Sequence, residues 1–171
     1  LCNKTTTCAV LNTPDRCIVV ASVYLPCRVA IDFSLLDKIC SYSNKHGYPV
    51  LLGSDTNTRS ALWGYSRREG GTRGEALEAF LVSNGLLVAD IPKMTYRSDN
   101  GVTSSRIDII ASSVDLTPTL CEMKHFPLSD HDLLHAVFDV EEKEVEPARN
   151  VWRTNWTQYI KKARSNLRVN T

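Results

Sequence analysis

The chain has 171 residues, a formal net charge of +1 and a pI near 7.8. This length suits one domain with an appendage and a sizeable core. The near-neutral charge excludes a protein that binds polyanions through its overall field, so affinity for nucleic acid must come from local patches. No stretch approaches the roughly 20 apolar residues that cross a bilayer. We therefore predict a protein with no membrane partner.

Cysteine spacing argues against a structural zinc site. The six cysteines include no Cys-x-x-Cys pair and no paired histidine spacing, which zinc-binding motifs require. Their even number leaves disulfides open, but the chain is larger than the small secreted domains that depend on them. We predict reduced thiols, several of them packed, in an intracellular protein. The cysteines are Cys2, Cys8, Cys17, Cys27, Cys40 and Cys121.

The first predicted element is a hairpin. Thr7 to Leu11 and Cys17 to Leu25 are short apolar or β-branched runs, and residues 12–15 between them favour a turn. The second run is apolar on both alternations, which predicts a strand covered on both faces. Pro26 closes this strand and leaves Tyr24 near its end.

A helix and a buried strand follow the hairpin. Apolar residues recur at helical spacing from Ile31 to Tyr42, with Asp32 as a possible N-cap and Gly47 near the stop. Residues 49–53 then predict a buried strand that opens into a loop. The pattern is a strand, helix, strand unit.

The middle of the chain is predicted to be irregular. Residues 54–74 are polar and rich in Gly and Arg, which is typical of a functional or a disordered loop. Trp63 and Tyr65 inside this stretch argue for partial order. A second helix is predicted from Glu75 to Leu81, with Asn84-Gly85 as its C-terminal stop.

Four short strands complete the predicted domain, and a turn at Asp99-Asn100-Gly101 separates the second from the third. Short strands with two helices outside them predict an α+β fold, with a sandwich architecture rather than a regularly wound parallel sheet. We assign residues 1–140 to this domain and predict an acidic-then-basic linker and helix over residues 141–171. The strands are predicted over residues 86–89, 95–97, 106–111 and 134–140.

Polar side chains gather at the ends of these strands. Asp55 and Asn57 lie two residues apart after the buried strand, so both project to the same side of an extended segment. Asp108 is a candidate to orient and charge-stabilise His131, as a buried carboxylate does for a catalytic imidazole. Asp130 is then free to approach a metal. These groups suit metal-assisted hydrolysis of a phosphodiester.

Each motif also has a simpler explanation. An isolated Asp-x-Asn after Gly is usually a turn. An isolated Ser-Asp-His is commonly a capped turn with a surface histidine, and residues 106–110 are also explained as a strand with one polar residue. Their order and their placement at strand ends favour a catalytic site.

Taken together, the motifs resemble those of the endonuclease/exonuclease/phosphatase superfamily, and within it the apurinic-like endonuclease domain of non-LTR (LINE-like) retrotransposons. The resemblance runs from about residue 7 to residue 140, and its Leu-Trp-Gly element favours the arthropod mobile-element branch over repair enzymes. The motifs are Val23-Tyr24-Leu25-Pro26, Gly53-Ser54-Asp55-Thr56-Asn57, Leu62-Trp63-Gly64, Arg73-Gly74, Thr95-Tyr96, Ser105-Arg106-Ile107-Asp108 and Ser129-Asp130-His131.

The resemblance implies a catalytic role for each strand-end residue. Asp55 would help to activate or place the attacking water, and Asn57 would fix that water and the phosphate. His131 would contact the scissile phosphate or serve as the base, oriented by Asp108. Asp130 would lie at the divalent-metal site, where the resemblance implies Mg²⁺ or Mn²⁺.

The resemblance also implies that DNA is the substrate. Tyr24 would contact the phosphate at the cleft. Trp63 would either stack on a base or sugar or pin its loop to the core. Charged loops are more often solvated than bound to DNA, so the arginines are candidates only. The candidate DNA-binding residues are Arg59, Trp63, Arg67, Arg68 and Arg73.

One part of the family pattern has no counterpart here. Family members begin with two earlier strands that supply an Asn and a metal-binding Glu, whereas Glu69, Glu75 and Glu78 occur in the wrong order and context. We therefore expect an N-terminally truncated domain with poor metal binding and impaired nicking. The resemblance further implies a reverse transcriptase domain in the parent polypeptide and action in the nucleus.

Three other functions stay open. The chain is alternatively a catalytically dead relic that binds nucleic acid, which the missing metal ligand favours. A phosphatase of the same superfamily would need a closed pocket of substrate size. A Ser-His-Asp hydrolase that uses Ser129 or Ser105 is remote, because neither serine lies in a nucleophile-elbow pattern.

Overall fold

The computed structural model describes residues 3–91, 93–98 and 100–139, without the side chain of Arg67. The predicted linker and helix of residues 141–171 lie outside the described residues. None of the helices described is long and apolar enough to cross a membrane.

The described residues form nine strands and two helices. The strands are β1 (Thr6–Asn12), β2 (Cys17–Tyr24), β3 (Val50–Asp55), β4 (Leu86–Val88), β5 (Tyr96–Arg97), β6 (Ser104–Ser105), β7 (Asp108–Ser113), β8 (Leu120–Lys124) and β9 (Leu133–Val137). The helices are α1 (Ser34–His46) and α2 (Arg67–Ser83), and a short 3₁₀ turn lies at Ala61–Trp63.

Five strands form one mixed sheet in the order β1-β2-β3-β7-β4. β2 and β3 are parallel and are connected through α1, whereas the other neighbours in the sheet are antiparallel. β5 pairs with β6, and β8 pairs with β9, as two separate hairpins. The predicted α+β class is confirmed. The predicted first hairpin is also confirmed, and it is formed by β1 and β2.

The hydrophobic core lies between one face of this sheet and the two helices. Val19 and Ala21 of β2 and Leu52 of β3 belong to the same buried cluster as Ile39 of α1 and Leu81 of α2. Full burial of a large aliphatic side chain contributes about 1.5–3 kcal/mol. This packing fixes the strands whose ends carry the polar motifs.

The opposite face of the sheet is only partly covered by the described residues. Val20, Leu51 and Ile110 line a groove of about 470 Å³ on this face, together with Leu134 of β9. Ser22 on the same face is exposed. The prediction that β2 is covered on both faces was therefore wrong for the described residues, because the β8–β9 hairpin reaches only part of the sheet.

α1 ends where the sequence predicts, but it begins one residue later than expected. Gly47 ends the helix with a φ of 65°, a left-handed conformation that glycine adopts without strain. The N-cap residue is Phe33, whose side chain makes no capping hydrogen bond. Asp32 instead accepts a hydrogen bond from the Ser34 backbone N–H at 2.9 Å, so its assignment as the N-cap was wrong.

α2 begins well before the predicted second helix. Ser66 and Glu69 form a reciprocal capping box, which nucleates the helix at Arg67. Gly71 then interrupts the helix with a φ of 57°. The prediction of an irregular segment across residues 54–74 was wrong for its last third, because the Ser-x-x-Glu signal was overlooked.

Two short strands, β6 and β8, were not predicted. β6 has two residues, too few to show alternation. β8 carries charged residues and has no buried position, so it has the pattern of an exposed hairpin rather than of a core strand. The turn that precedes β6 is confirmed at its described residues, since Gly101 N–H donates to the Ser98 carbonyl oxygen at 2.8 Å.

The thiol prediction is confirmed for the described cysteines. Cys8, Cys17, Cys27, Cys40 and Cys121 are all free. Burial, followed by the charge of nearby Asp37, raises the pKa of Cys40 to about 11. Such a thiol is protonated at neutral pH and therefore unreactive.

Candidate active site

Two carboxylates meet at one end of the sheet because of its register. Asp55 is the last residue of β3 and Asp108 is the first residue of β7. The two strands are antiparallel, and their register places Asp55 directly opposite Asp108. Directly opposed residues in such a pair have Cβ atoms about 5 Å apart, so the sheet itself brings the two acids together.

The histidine approaches this pair from the β8–β9 hairpin. Nδ1 of His131 lies 2.8 Å from Oδ2 of Asp108. One ligand atom from each of Asp55, Asp108 and His131 lies within 4.8 Å of the others. A neutral imidazole that donates from Nδ1 to the carboxylate keeps Nε2 free to accept a proton or contact a substrate.

Thr95 sets the spacing between Asp108 and His131. It is fully buried, and its hydroxyl oxygen accepts hydrogen bonds from the backbone N–H groups of Ile107 and Asp108 at 3.2 and 3.1 Å. Its carbonyl oxygen accepts a hydrogen bond from the N–H of Asp132, the residue after His131, at 2.7 Å. In the sequence Thr95 was only part of a motif, and no local pattern indicated this linking position.

The site opens into a cleft of about 730 Å³. Asp108 is not among the lining residues and lies behind His131, with 16% of its side chain exposed. From this position behind the imidazole, Asp108 is placed to orient the ring rather than to meet a substrate. The lining residues are Tyr24, Asp55, Asn57, Thr58, Arg59, Glu69, Tyr96, Ser105, Ile107, Asp130 and His131.

The segment after β3 is a turn as well as part of the cleft wall. Asn57 has a φ of 46°, in the left-handed region that Asn tolerates better than most residues. Its backbone N–H donates to Oδ1 of Asp55 at 3.1 Å. The turn explanation and the catalytic explanation of Asp-x-Asn are therefore compatible, because the turn directs both residues into the cleft.

The environment of the site raises the pKa of both Asp55 and His131. Burial and then the charge of Asp108 raise the pKa of Asp55 above its ordinary value. Burial lowers the pKa of His131, but the hydrogen bond and charge of Asp108, with the charge of Asp55, outweigh it and leave the pKa raised. A raised pKa makes Asp55 a stronger base and makes His131 more often protonated at neutral pH.

Asp55→Asn is expected to stabilise the fold at neutral pH. The raised pKa of Asp55 means that its charged form opposes folding. Because Asp55 is only half-buried, solvent screening limits the gain to about 1 kcal/mol, or about 2–4 °C in Tm. The advantage is complete above the folded pKa, shrinks as pH falls through it, and vanishes below the unfolded pKa. Thermal unfolding at about pH 7 and about pH 4 measures it; an equal gain at both values would contradict this origin.

Residues 18–135 match the sequence pattern of a family described as Endonuclease-reverse transcriptase. The chain belongs to this family. No curated protein matches the sequence.

Several solved structures share the fold of this member of the endonuclease-reverse transcriptase family. The endonuclease domain of TRAS1, a telomere-specific non-LTR retrotransposon, is 21% identical with a TM-score of 0.65, over 81% of this chain and 65% of that one. An endonuclease/exonuclease/phosphatase family protein from Leptotrichia buccalis is 18% identical with a TM-score of 0.55, over 79% and 54%. The human Nocturnin catalytic domain with bound sulfate is 17% identical with a TM-score of 0.53, over 78% and 52%.

These structures confirm the predicted sandwich fold, and the family match together with the TRAS1 structure confirms the predicted resemblance. The chain spans about two thirds of the TRAS1 domain and about half of the other two structures.

The donor set of the site fits a divalent cation. Asp55, Asp108 and His131 offer two carboxylates and an imidazole within a small volume. Asp130, the predicted metal ligand, lines the same cleft but is not part of this group. Carboxylate oxygens are the ligands that Mg²⁺ prefers, and Mn²⁺ accepts both oxygen and nitrogen.

The predicted DNA-binding residues fall into different environments. Arg59 lines the cleft, and its guanidinium lies 5.2 Å from the centroid of the Tyr65 ring. Arg68 is exposed on α2, and the side chain of Arg67 lies outside the described residues. Trp63 is 3% exposed and belongs to the hydrophobic core. Burial supports the alternative in which Trp63 pins its loop, so we withdraw it from the DNA-binding set.

Arg73 is used by the protein itself. Its guanidinium donates hydrogen bonds to the backbone carbonyl oxygens of Pro26 at 3.0 Å, Thr56 at 3.3 Å and Leu25 at 3.4 Å, and also to that of Val29. These bonds tie α2 to the end of β2 and to the loop after β3. The assignment of Arg73 to DNA binding is corrected to a structural role, because both terminal nitrogens of its guanidinium already donate to backbone carbonyl groups.

Arg73→Lys is expected to destabilise the fold by about 2 kcal/mol, because an ammonium group cannot reach the same set of carbonyl groups and leaves buried acceptors unpaired. Urea denaturation measures the effect. Arg68→Lys, on the exposed part of the same helix, is the matched control and should change stability by less than about 0.5 kcal/mol. Equal stability of the two variants would restore Arg73 as a surface candidate.

Proposed function

We propose that this chain is the nuclease part of a retrotransposon polyprotein and that it hydrolyses a phosphodiester bond of target DNA. The resulting nick would prime reverse transcription by a polymerase domain of the same polypeptide, in the nucleus. The observation that carries the proposal is His131, paired with Asp108 behind it and close to Asp55 in one open cleft.

The cleft residues divide the chemistry of hydrolysis among them. Asp55 has a raised pKa, which suits a base that places and deprotonates the attacking water. Asn57 lies beside it and would hold the water or a phosphate oxygen through its amide. His131, held by Asp108, would present Nε2 to the scissile phosphate and stabilise negative charge when protonated.

A bound Mg²⁺ or Mn²⁺ would neutralise charge on the phosphate. Its candidate ligands are the carboxylates of Asp55, Asp108 and Asp130. Tyr24 is 47% exposed at the rim of the cleft, where its hydroxyl would donate to a phosphate oxygen.

An extended nucleic acid fits the cleft better than a small phosphorylated metabolite. The cleft is open and lined by polar groups, whereas small-molecule sites are mostly enclosed and apolar. Arg59 at its wall and Arg68 on α2 would contact backbone phosphates beside the scissile bond, and Arg67 is a third candidate. The stacking of Arg59 on Tyr65 orients one of these cations in advance.

Nicking of supercoiled plasmid tests the proposal, since one break per molecule converts supercoiled DNA to the open circle. The chain is incubated with plasmid in Mg²⁺, in Mn²⁺ and in EDTA, with Asp55→Asn as the inactive control. Because the metal-binding Glu of the family has no counterpart in this chain, we expect weak but metal-dependent formation of open circles, whose 3′ ends a DNA polymerase extends. A plasmid that is shifted in a gel but never nicked would instead support the binding-only relic. Release of phosphate from small monoesters without nicking would support the phosphatase.

A further inference from the structure

A buried carboxylate directly follows the candidate catalytic histidine. The side chain of Asp132 is 4% exposed, although the neighbouring His131 is 30% exposed. Oδ2 of Asp132 accepts a hydrogen bond from Nη2 of Arg97 at 2.8 Å. Oδ1 lies 2.7 Å from Nδ1 of His125 and accepts a hydrogen bond from the backbone N–H of Phe126 at 3.1 Å. Both carboxylate oxygens are therefore paired.

These contacts join the two ends of one loop. The loop of residues 125–131 follows β8, which ends at Lys124, and Asp132 separates the loop from β9, which begins at Leu133. Because Asp132 binds the first two residues of the loop from its far end, the carboxylate closes the loop on itself. Asp130 and His131, both lining the cleft, lie inside the closed segment.

The same carboxylate anchors the loop to the β5–β6 hairpin. Arg97, which pairs with Asp132 through its side chain, donates its backbone N–H to the carbonyl oxygen of Asp130 at 2.8 Å. Tyr96 forms an isolated β-bridge with His131. The Arg97–Asp132 side-chain pair and the Arg97–Asp130 backbone hydrogen bond thus hold the loop at two places. Thr95, the residue before β5, connects this segment to Asp108.

Burial makes this arrangement selective rather than incidental. Taking the Asp132 carboxylate out of water costs several kcal/mol, which only well-aligned partners offset, and Arg97 pairs with it from a half-exposed position. Such a cluster tolerates one loop geometry and disfavours others that leave the charge unpaired. A comparable pair on the same hairpin, Glu122 with His135 at 3.0 Å, is more than 40% exposed and has no such consequence.

We propose that Asp132 is a positioning residue that fixes the 125–131 loop and thereby holds Asp130 and His131 at the cleft. Asp132 does not itself touch the reacting atoms. Its effect on catalysis rests on the proposed function, whereas its effect on the loop does not.

Hydrogen exchange and nicking kinetics together test this inference. Asp132→Asn keeps the size of the side chain but loses its charge. Arg97→Gln removes the half-exposed guanidinium that pairs with Asp132 and leaves Asp132 itself unchanged. In both variants we expect amide exchange in the 125–131 loop to rise by about tenfold. We also expect kcat for nicking to fall by about 10–100-fold with KM within about twofold, because a displaced imidazole still allows DNA to bind. Glu122→Gln is the matched control and should change neither.

The outcomes separate the inference from the proposed function. Unchanged loop exchange in both variants would overturn the role of Asp132, whatever the kinetics. Faster exchange with unchanged kcat would also overturn it, since the loop would then not position the catalytic groups. If the wild-type chain does not nick plasmid in any metal, the proposed function fails, and loop exchange still decides whether Asp132 fixes the loop.

Discussion

His131→Ala is expected to reduce plasmid nicking by about 10³-fold, and Asp108→Asn by about 10²-fold, which is the range for removal of a proton-transfer group or of its orienting partner. His131 presents the only imidazole among the residues described in the cleft. Asn in place of Asp108 keeps a polar group near Nδ1 but removes the charge that raises the pKa of His131. The measurement is the initial rate of open-circle formation at saturating Mg²⁺.

His135→Ala is the matched control for this comparison. His135 also pairs with a carboxylate on the β8–β9 hairpin, Glu122, but its side chain is 42% exposed and it does not line the cleft. We expect His135→Ala to nick at the wild-type rate. If His131→Ala keeps more than about a tenth of the activity, or if both histidine variants lose activity equally, the catalytic assignment fails.

Gly74→Ala is expected to destabilise the fold by about 2–3 kcal/mol, a cost typical of overpacking. An added Cβ at this position would overlap the backbone carbonyl oxygen of Arg59, and one at Gly70 would lie 2.9 Å from the same atom. The two glycines, which lie on either side of the interruption at Gly71, therefore form the surface on which the Arg59 segment rests. Glu78 reinforces this contact by accepting hydrogen bonds from the Ser60 hydroxyl and the Ala61 N–H.

The loss of stability should be accompanied by displacement of Arg59 from the cleft wall. Urea denaturation measures the first effect, and DNA affinity at low salt measures the second. Gly53→Ala is the control, because a Cβ there meets no atom within 4 Å, and it should change stability by less than about 0.5 kcal/mol. Equal urea midpoints for Gly74→Ala and Gly53→Ala would contradict this prediction. They would mean that α2 can move away from the Arg59 segment without a loss of stability.

The strand-end pattern of the sequence was sufficient to place the centre of the site. A residue that begins or ends a buried strand emerges at an end of the sheet, and this is where Asp55 and Asp108 were expected once their strands were recognised. The structure brings these two acids and His131 together. The catalytic roles of these residues stay a proposal.

What the sequence did not indicate depends on contacts between distant segments. Thr95 and Asp132 act through hydrogen bonds to residues that no local period connects with them. Trp63 and Arg73 have side chains suited to DNA, but residue type does not tell whether a loop side chain turns inward. The early start of α2 was different, since its Ser66–Glu69 capping signal was present in the sequence and was missed.

The pairing of Asp55 with Asp108 across β3 and β7 makes the site sensitive to changes in the length of either strand. Side chains alternate between the two faces of a strand. A deletion of one residue within β7 would therefore turn the side chains that precede the deletion in β7 to the opposite face of the sheet. The strands would still form hydrogen bonds, but Asp108 would no longer face Asp55. Short in-frame deletions in these two strands would therefore disrupt the site more abruptly than most substitutions elsewhere in the sheet.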